Sequence, residues 1–176
     1  MRFVKEKNLI VYFSHAGENY SGGKTIYLTT GNTERVAEIL KKQTGCKTWK
    51  LETVTPYPTV YQAVSEIAQQ EQRNASRPRL TVYPPALEEC EGIFLGYPIW
   101  WGTVPMAILS FLEKYDCRNM QIYPFCTHEG SGLGRSLQDI TAACRQAEIR
   151  AGLAVRGSEA ASAQPEVLKW LAKVLE

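Results

Sequence analysis

Three short stretches of the chain gather the side chains that could do chemistry. The first is Ser14-His15-Ala16-Gly17-Glu18-Asn19, which resumes after an excursion at Thr29-Thr30-Gly31-Asn32-Thr33. The second is Pro98-Ile99-Trp100-Trp101-Gly102-Thr103, and the third is Thr127-His128-Glu129-Gly130-Ser131-Gly132-Leu133-Gly134. Hydroxyls and glycine at a helix start make a phosphate site: the first amides of a helix have no intrahelical acceptor, and the helix dipole favours an anion there. Ser14, Asn32 and Thr33 can add side-chain donors. Adjacent tryptophans offer a flat surface to a planar heterocycle, worth about 0.5–1.5 kcal/mol beyond area burial. Glycines in the third stretch let backbone approach a ring closely. Each stretch also has an ordinary structural reading. Ser14 and Thr33 can cap a helix, tryptophan can pack, His15 and His128 can be polar loop residues, and glycine is common turn chemistry. Their joint placement is what points to one ligand with a phosphate at one end and a flat ring at the other.

The elements that must position these stretches follow from periodicity. Leu9–Phe13 and Gly92–Tyr97 are apolar throughout, the pattern of strands covered on both faces. Lys47–Leu51, Gln121–Cys126 and Ile149–Leu153 read as three further strands. Between them lie helical stripes: Val36, Ile39 and Leu40, stopped by Gly45; Val60, Val64 and Ile67 within a helix from Thr59 to about Arg73; Ile108, Phe111, Leu112 and Tyr115 after Pro105; Leu133, Leu137, Ile140 and Cys144; and Val167, Leu168, Leu171 and Leu175. Pro78, Pro84 and Pro85 keep the intervening stretch irregular. Five strands alternating with five helices require right-handed crossovers and a mainly parallel sheet, so residues 1–176 form one doubly wound α/β domain. Ligands of such sheets bind beyond the carboxyl ends of the strands, where all three stretches fall.

Gly23-Lys24-Thr25 imitates the tail of a nucleotide-binding P-loop. The glycine required five positions earlier is replaced by Glu18, and no helical run begins after Thr25. Residues 19–30 are therefore expected to form a hairpin-like insertion. A response regulator would need an aspartate at a strand end, where Ser14 and Pro98 stand. A cysteine phosphatase of this architecture needs a nucleophilic cysteine with an arginine six positions on, and no cysteine here is expected to play that part.

The chain has 176 residues, 44% hydrophobic and 22% charged, with a formal charge of +2. That charge is too small and scattered for a nucleic-acid footprint. Five separated cysteines with no C-x-x-C pair argue against a disulfide framework, and two histidines add too little for a metal site. Reduced thiols point to the cytoplasm. The apolar run after the charged start is too short for a signal sequence or a membrane span.

Val11-Tyr12-Phe13-Ser14, Gly31-Asn32-Thr33, Gly96-Tyr97-Pro98-Ile99-Trp100-Trp101-Gly102 and Thr127–Gly134 resemble the bacterial flavodoxin-like FMN-binding proteins, in a branch whose phosphate loop is split by an insertion beginning Ala-Gly-Glu-Asn. The likeness runs from about Leu9 to Leu175. It implies a five-stranded sheet of order 2-1-3-4-5 with FMN as cofactor. It also implies that Ser14 and the Gly31-Asn32-Thr33 segment hold the phosphate, with His15 and Ala16 among the cofactor-binding residues. Pro98, Ile99, Trp100, Trp101, Gly102 and Thr103 would lie against the ring and ribityl chain, with Trp100 or Trp101 stacking and a backbone amide of the Trp101–Thr103 turn meeting flavin N5. Thr127, His128, Gly130, Ser131 and Gly132 would flank the ring. No catalytic residue of the protein's own and no metal are expected. The implied activity is electron transfer with redox partner proteins, the chain being a monomer or homodimer away from membranes. An NAD(P)H-dependent FMN oxidoreductase acting on quinones or similar small acceptors is the alternative, and a cofactor-free binding module is the second. The basic pI, near 8.2, departs from the acidic short-chain carriers.

Overall fold

The computed structural model describes residues 5–84 and 87–176. Its centre is a parallel sheet built on the two apolar runs. β1 (Asn8–Tyr12) and β5 (Gly92–Pro98) pair directly, and β5 is buried from Gly92 to Tyr97. β4 (Lys47–Lys50) flanks β1, and β6 (Gln121–His128) flanks β5. The outer position beyond β6 is filled by two pieces, β7 (Glu148–Ile149) and β8 (Leu153–Arg156), both parallel to it. The order β4-β1-β5-β6-β7/β8 is the expected 2-1-3-4-5 arrangement.

The expected fifth strand, Ile149–Leu153, is where the structure differs. Ile122 pairs with Ile149 but Phe125 pairs with Leu153, so three residues on the outer strand face two on β6. Pro124 lies in that gap and has no N–H to contribute to a ladder, the usual setting of a bulge. The freed carbonyl of Ala151 accepts the Trp170 indole N–H at 2.7 Å.

Helices cover both faces. α1 (Asn32–Thr44) and α5 (Gln164–Val174) enclose a core of Ile10, Phe94, Phe125, Leu40, Val167 and Trp170. α3 (Met106–Leu112) and α4 (Ser136–Ala143) enclose Val11, Leu95, Ile108, Phe111 and Ile140 on the other side. Gly45 stops α1 as expected, at φ +73° with its N–H on the Lys41 carbonyl. Four stripes need correction. Leu168 is exposed, and Trp170 takes the inward position that periodicity had given it. In α2 (Tyr61–Arg73) Val64 and Ala68 are buried, whereas Val60 and Ile67 are exposed. Tyr115 and Leu133 lie outside α3 and α4 but still pack on the core. Pro85 falls outside the described residues.

The inserted segment is a hairpin, β2 (Gly17–Ser21) with β3 (Lys24–Leu28), turned by Gly22 and Gly23 at φ +57° and +88°. Successive left-handed residues give a turn matched to the strand twist. Lys24 and Thr25 lie on β3, so no P-loop helix follows them. No helix among the described residues is long and apolar enough to cross a membrane.

Candidate functional site

The carboxyl ends of β1, β5 and β6 are held together by a short chain of contacts. The Thr33 hydroxyl meets the Thr127 hydroxyl at 2.8 Å, both side chains buried, and the Thr127 carbonyl accepts the Ile99 N–H at 2.8 Å. Thr33 and Thr127 thus lock the three loops to one another. Between the loops lies a cleft of about 300 Å³, at the lower end of ordinary ligand pockets.

At one end stands the N-terminus of α1. Gly31 precedes its first residue, and the Ser14 Oγ accepts the Glu34 N–H at 3.1 Å, so Ser14 caps the helix while facing the cleft. The amides of Asn32 and Thr33 have no acceptor among the described residues. Glycine is required at 31: a Cβ there would strike the Ser14 hydroxyl and come within 2.6 Å of the His15 carbonyl. His15 Nε2 donates to the Pro58 carbonyl at 2.8 Å, which sets the imidazole edge-on to Trp100, ring centres 6.0 Å apart.

The far wall is aromatic. Trp100 is half-buried and packs edge-to-face on Phe13 (5.3 Å) and Tyr57 (5.1 Å). Trp101 is 48% exposed and stands at φ +50°, a conformation bulky residues rarely adopt. It is held there by its indole N–H on the Ser65 carbonyl at 2.9 Å and by Gln72 Nε2 on its own carbonyl. Trp100 and Thr103 close the turn on each other, N–H to carbonyl in both directions. The Thr103 amide is therefore committed, while those of Trp101 and Gly102 have no acceptor among the described residues.

His128 shapes the third loop. Its Nδ1 accepts the N–H of Gly130 (2.9 Å) and of Gly132 (3.1 Å), which makes the ring a neutral Nε2–H tautomer. Burial, with the nearby Arg156 cation, holds its pKa below the ordinary imidazole value.

Of the residues read from the sequence, Ser14, His15, Asn32, Thr33, Pro98, Ile99, Trp100, Trp101, Thr127 and His128 line the cleft. Ala16, Gly31, Gly102, Thr103, Gly130, Ser131 and Gly132 belong to the same loops but do not line the cleft. Thr103 is buried, its hydroxyl on the Asp139 carboxylate. Four elements add residues beyond those assigned to the cofactor, Glu18, Asn19 and Glu129 from within the stretches already named and the rest from outside them. The hairpin contributes Glu18, Asn19 and Tyr20, and α2 contributes Tyr61, Val64, Ser65 and Ala68. Glu129 comes from the third loop and Gly157 from the end of β8. The α2 set follows a helical i, i+3, i+4, i+7 spacing, a signal present in the sequence but shifted from the all-apolar stripe. Gly157 is glycine for cause, since a Cβ would strike a Glu129 carboxylate oxygen. Cys144 and Arg150 do have the six-residue spacing of a cysteine-phosphatase loop. Cys144, however, is buried at the end of α4, and the Arg150 guanidinium bonds Glu148 and the Val174 carbonyl, so they form no such site.

The family model for flavodoxin matches residues 24–174. The chain belongs to the flavodoxin family. FMN is the cofactor of that family, and the cleft fits it: unpaired helix amides at one end, an aromatic wall and two free turn amides at the other. Among solved structures, a candidate flavoprotein from Bacteroides eggerthii is 22% identical with a TM-score of 0.75, covering 97% of this chain and 98% of that one. A second, from Bacteroides uniformis, is 19% identical with a TM-score of 0.70, over 94% and 99%. A Lactobacillus acidophilus flavoprotein solved in complex with FMN is 18% identical with a TM-score of 0.65, over 94% and 98%. At these identities the likeness establishes a shared flavodoxin fold. No curated protein matches the chain.

Proposed function

We propose that this chain binds FMN in the cleft and carries electrons on it between redox partner proteins. The observation that supports this reading is the sharing of one cleft by the α1 N-terminus and the Trp100–Trp101 wall, a phosphate site and a flat surface for one ligand. Ser14 with the amides of Asn32 and Thr33 would hold the phosphate, and the Trp101–Gly102 amides would meet the polar edge of the ring. When bound, FMN supplies the one- and two-electron chemistry; the protein's part is binding, orientation and access. Trp101, exposed and anchored through Ser65, stands at the mouth with Tyr20 and Tyr61, whose rings lie 6.0 Å apart. Electrons would pass to a partner docking on this rim.

A second reading has one observation in its favour. An open groove shares Glu18, Tyr61, Ser65 and Trp101 with the cleft and continues along α2 past Gln62, Glu66 and Gln69. It could seat a small acceptor, as an FMN-dependent oxidoreductase requires. Its charged lining is Glu18 and Glu66, which repel the phosphates of NAD(P)H and so favour the carrier reading. Purified protein reconstituted with FMN tests both. Stoichiometric flavin binding, slow oxidation of NADPH and NADH with a quinone, and rapid exchange of electrons with a reduced carrier protein are expected. Fast turnover of NAD(P)H by the isolated protein would replace the carrier with the enzyme, and failure to retain FMN would remove both.

A further inference from the structure

On the face of the sheet covered by α3 and α4, two thiols lie sulfur to sulfur. Cys117 sits in the turn between α3 and β6, Cys144 ends α4, and their Sγ atoms are 3.1 Å apart. They are 7% and 4% exposed, and both are free thiols. A disulfide needs a separation near 2.05 Å, so the sulfurs would close by about 1 Å, within reach of a small side-chain rotation. We propose that Cys117 and Cys144 form a reversible intramolecular disulfide when the protein meets a hydroperoxide.

The geometry gives the two cysteines different parts. The Cys144 thiol donates to the Cys117 sulfur, which favours the thiolate at Cys117 and disfavours it at Cys144. Cys117 also lies in an otherwise exposed turn, flanked by Asp116 and Arg118, so a molecule as small as hydrogen peroxide has a short path to it. The Cys117 thiolate attacks a peroxide oxygen and the O–O bond breaks. Hydroxide leaves, to be protonated to water, and Cys117 becomes a sulfenic acid. Cys144 then attacks that sulfur and the S–O bond breaks. The departing hydroxyl leaves as water with the proton of Cys144. Two thiols lose two electrons in total, and one peroxide becomes two waters. Cys126 and Cys46 lack these conditions: burial pushes the Cys126 thiol up to about 12 and raises that of Cys46.

The bond would join the turn after α3 to the C-terminal end of α4, two helices that begin just after the second and third loops. α3 begins just after the Trp100–Thr103 turn, and the Arg135 N–H, at the entry to α4, donates to the Gly102 carbonyl at 2.9 Å. Closing this loop constrains the unfolded chain and stabilises the fold.

The test uses the full-length protein with FMN, treated with hydrogen peroxide, quenched, and alkylated in denaturant. Cys117 and Cys144 fall on separate tryptic peptides, Tyr115–Arg118 and Ser136–Arg145, and Cys126 on a third. The expected product is a crosslink between the first two, two of the five thiols lost, full recovery with dithiothreitol, and a rise in Tm of roughly 5–10 °C. In Cys144→Ser, Cys117 should accumulate as a dimedone-reactive sulfenic acid. Five alkylated thiols after treatment, a crosslink through another cysteine, or oxidation of both sulfurs without a bond between them would each overturn the proposal.

Discussion

His128 shows how a residue chosen for one reason can serve by another. Its position beside the ring loop was legible from the glycines around it. Its use of Nδ1 to hold the Gly130 and Gly132 amides was not, because a side chain folding back on its own loop leaves no spacing signal. Ser14 is similar: a hydroxyl at a strand end announces the phosphate loop, yet only the fold brings it to the Glu34 amide. The His128 contacts carry a pH dependence. The folded pKa is lowered by burial and by Arg156, so the unfolded chain takes up the proton first as pH falls. The contribution of His128 to stability is therefore complete above about pH 6.5 and declines below it. Protonation of Nδ1 would also set a donor against two donors. Thermal unfolding followed from pH 8 to pH 5 should show this decline in the parent protein. His128→Asn keeps an acceptor near Nδ1 but cannot take the proton, so its Tm should fall less over the same range. An identical fall in both would assign the pH dependence elsewhere.

At the scale of elements, the sheet was readable because its two central strands are buried on both faces and write continuous apolar runs. The hairpin was readable only as an insertion. What the sequence could not supply was its direction, since β2 and β3 pair with no strand of the main sheet. The structure lays the hairpin across the cleft. Glu18 N–H donates to the Thr59 carbonyl, the Glu18 carboxylate accepts the Tyr61 N–H at 2.8 Å, and the Gly22 amide at the tip reaches Glu129. The hairpin thus spans from the start of α2 to the third loop, and its Asn19 and Tyr20 line the cleft. Because Gly17 and Leu28 are directly paired, residues 18–27 can be replaced by Asn-Gly without disturbing the strands beyond. The expected variant keeps its far-ultraviolet circular dichroism but binds FMN at least about tenfold more weakly, a loss of ~1.4 kcal/mol or more. Equal affinity in a titration by flavin fluorescence would show that the hairpin covers the site without contributing to it.

The whole molecule is two cores separated by one sheet, and the second of them depends on a residue that periodicity misplaced. The apolar stripe of the last helix can be drawn through Val167, Leu168, Leu171 and Leu175, which are all aliphatic, with Trp170 left outside. The observed inward set is Ala163, Val167, Trp170, Leu171 and Val174. The two stripes differ by a rotation of the helix that composition alone does not decide. The observed rotation goes with the bulge opposite Pro124, far along the chain, where the Ala151 carbonyl accepts the Trp170 indole N–H and the ring packs against Phe94, 6.0 Å away. Trp170→Ala removes a large buried side chain and leaves that carbonyl without its donor, so it should cost about 3–5 kcal/mol of unfolding free energy. Leu168, 45% exposed, should cost no more than about 0.5 kcal/mol when changed to alanine. Urea unfolding of the FMN-free proteins separates the two without interference from ligand stabilisation, provided the m-values agree. Similar losses at both positions would mean that α5 presents the aliphatic stripe to the sheet, and that the link between the Pro124 bulge and the second core is not what holds the last helix in place.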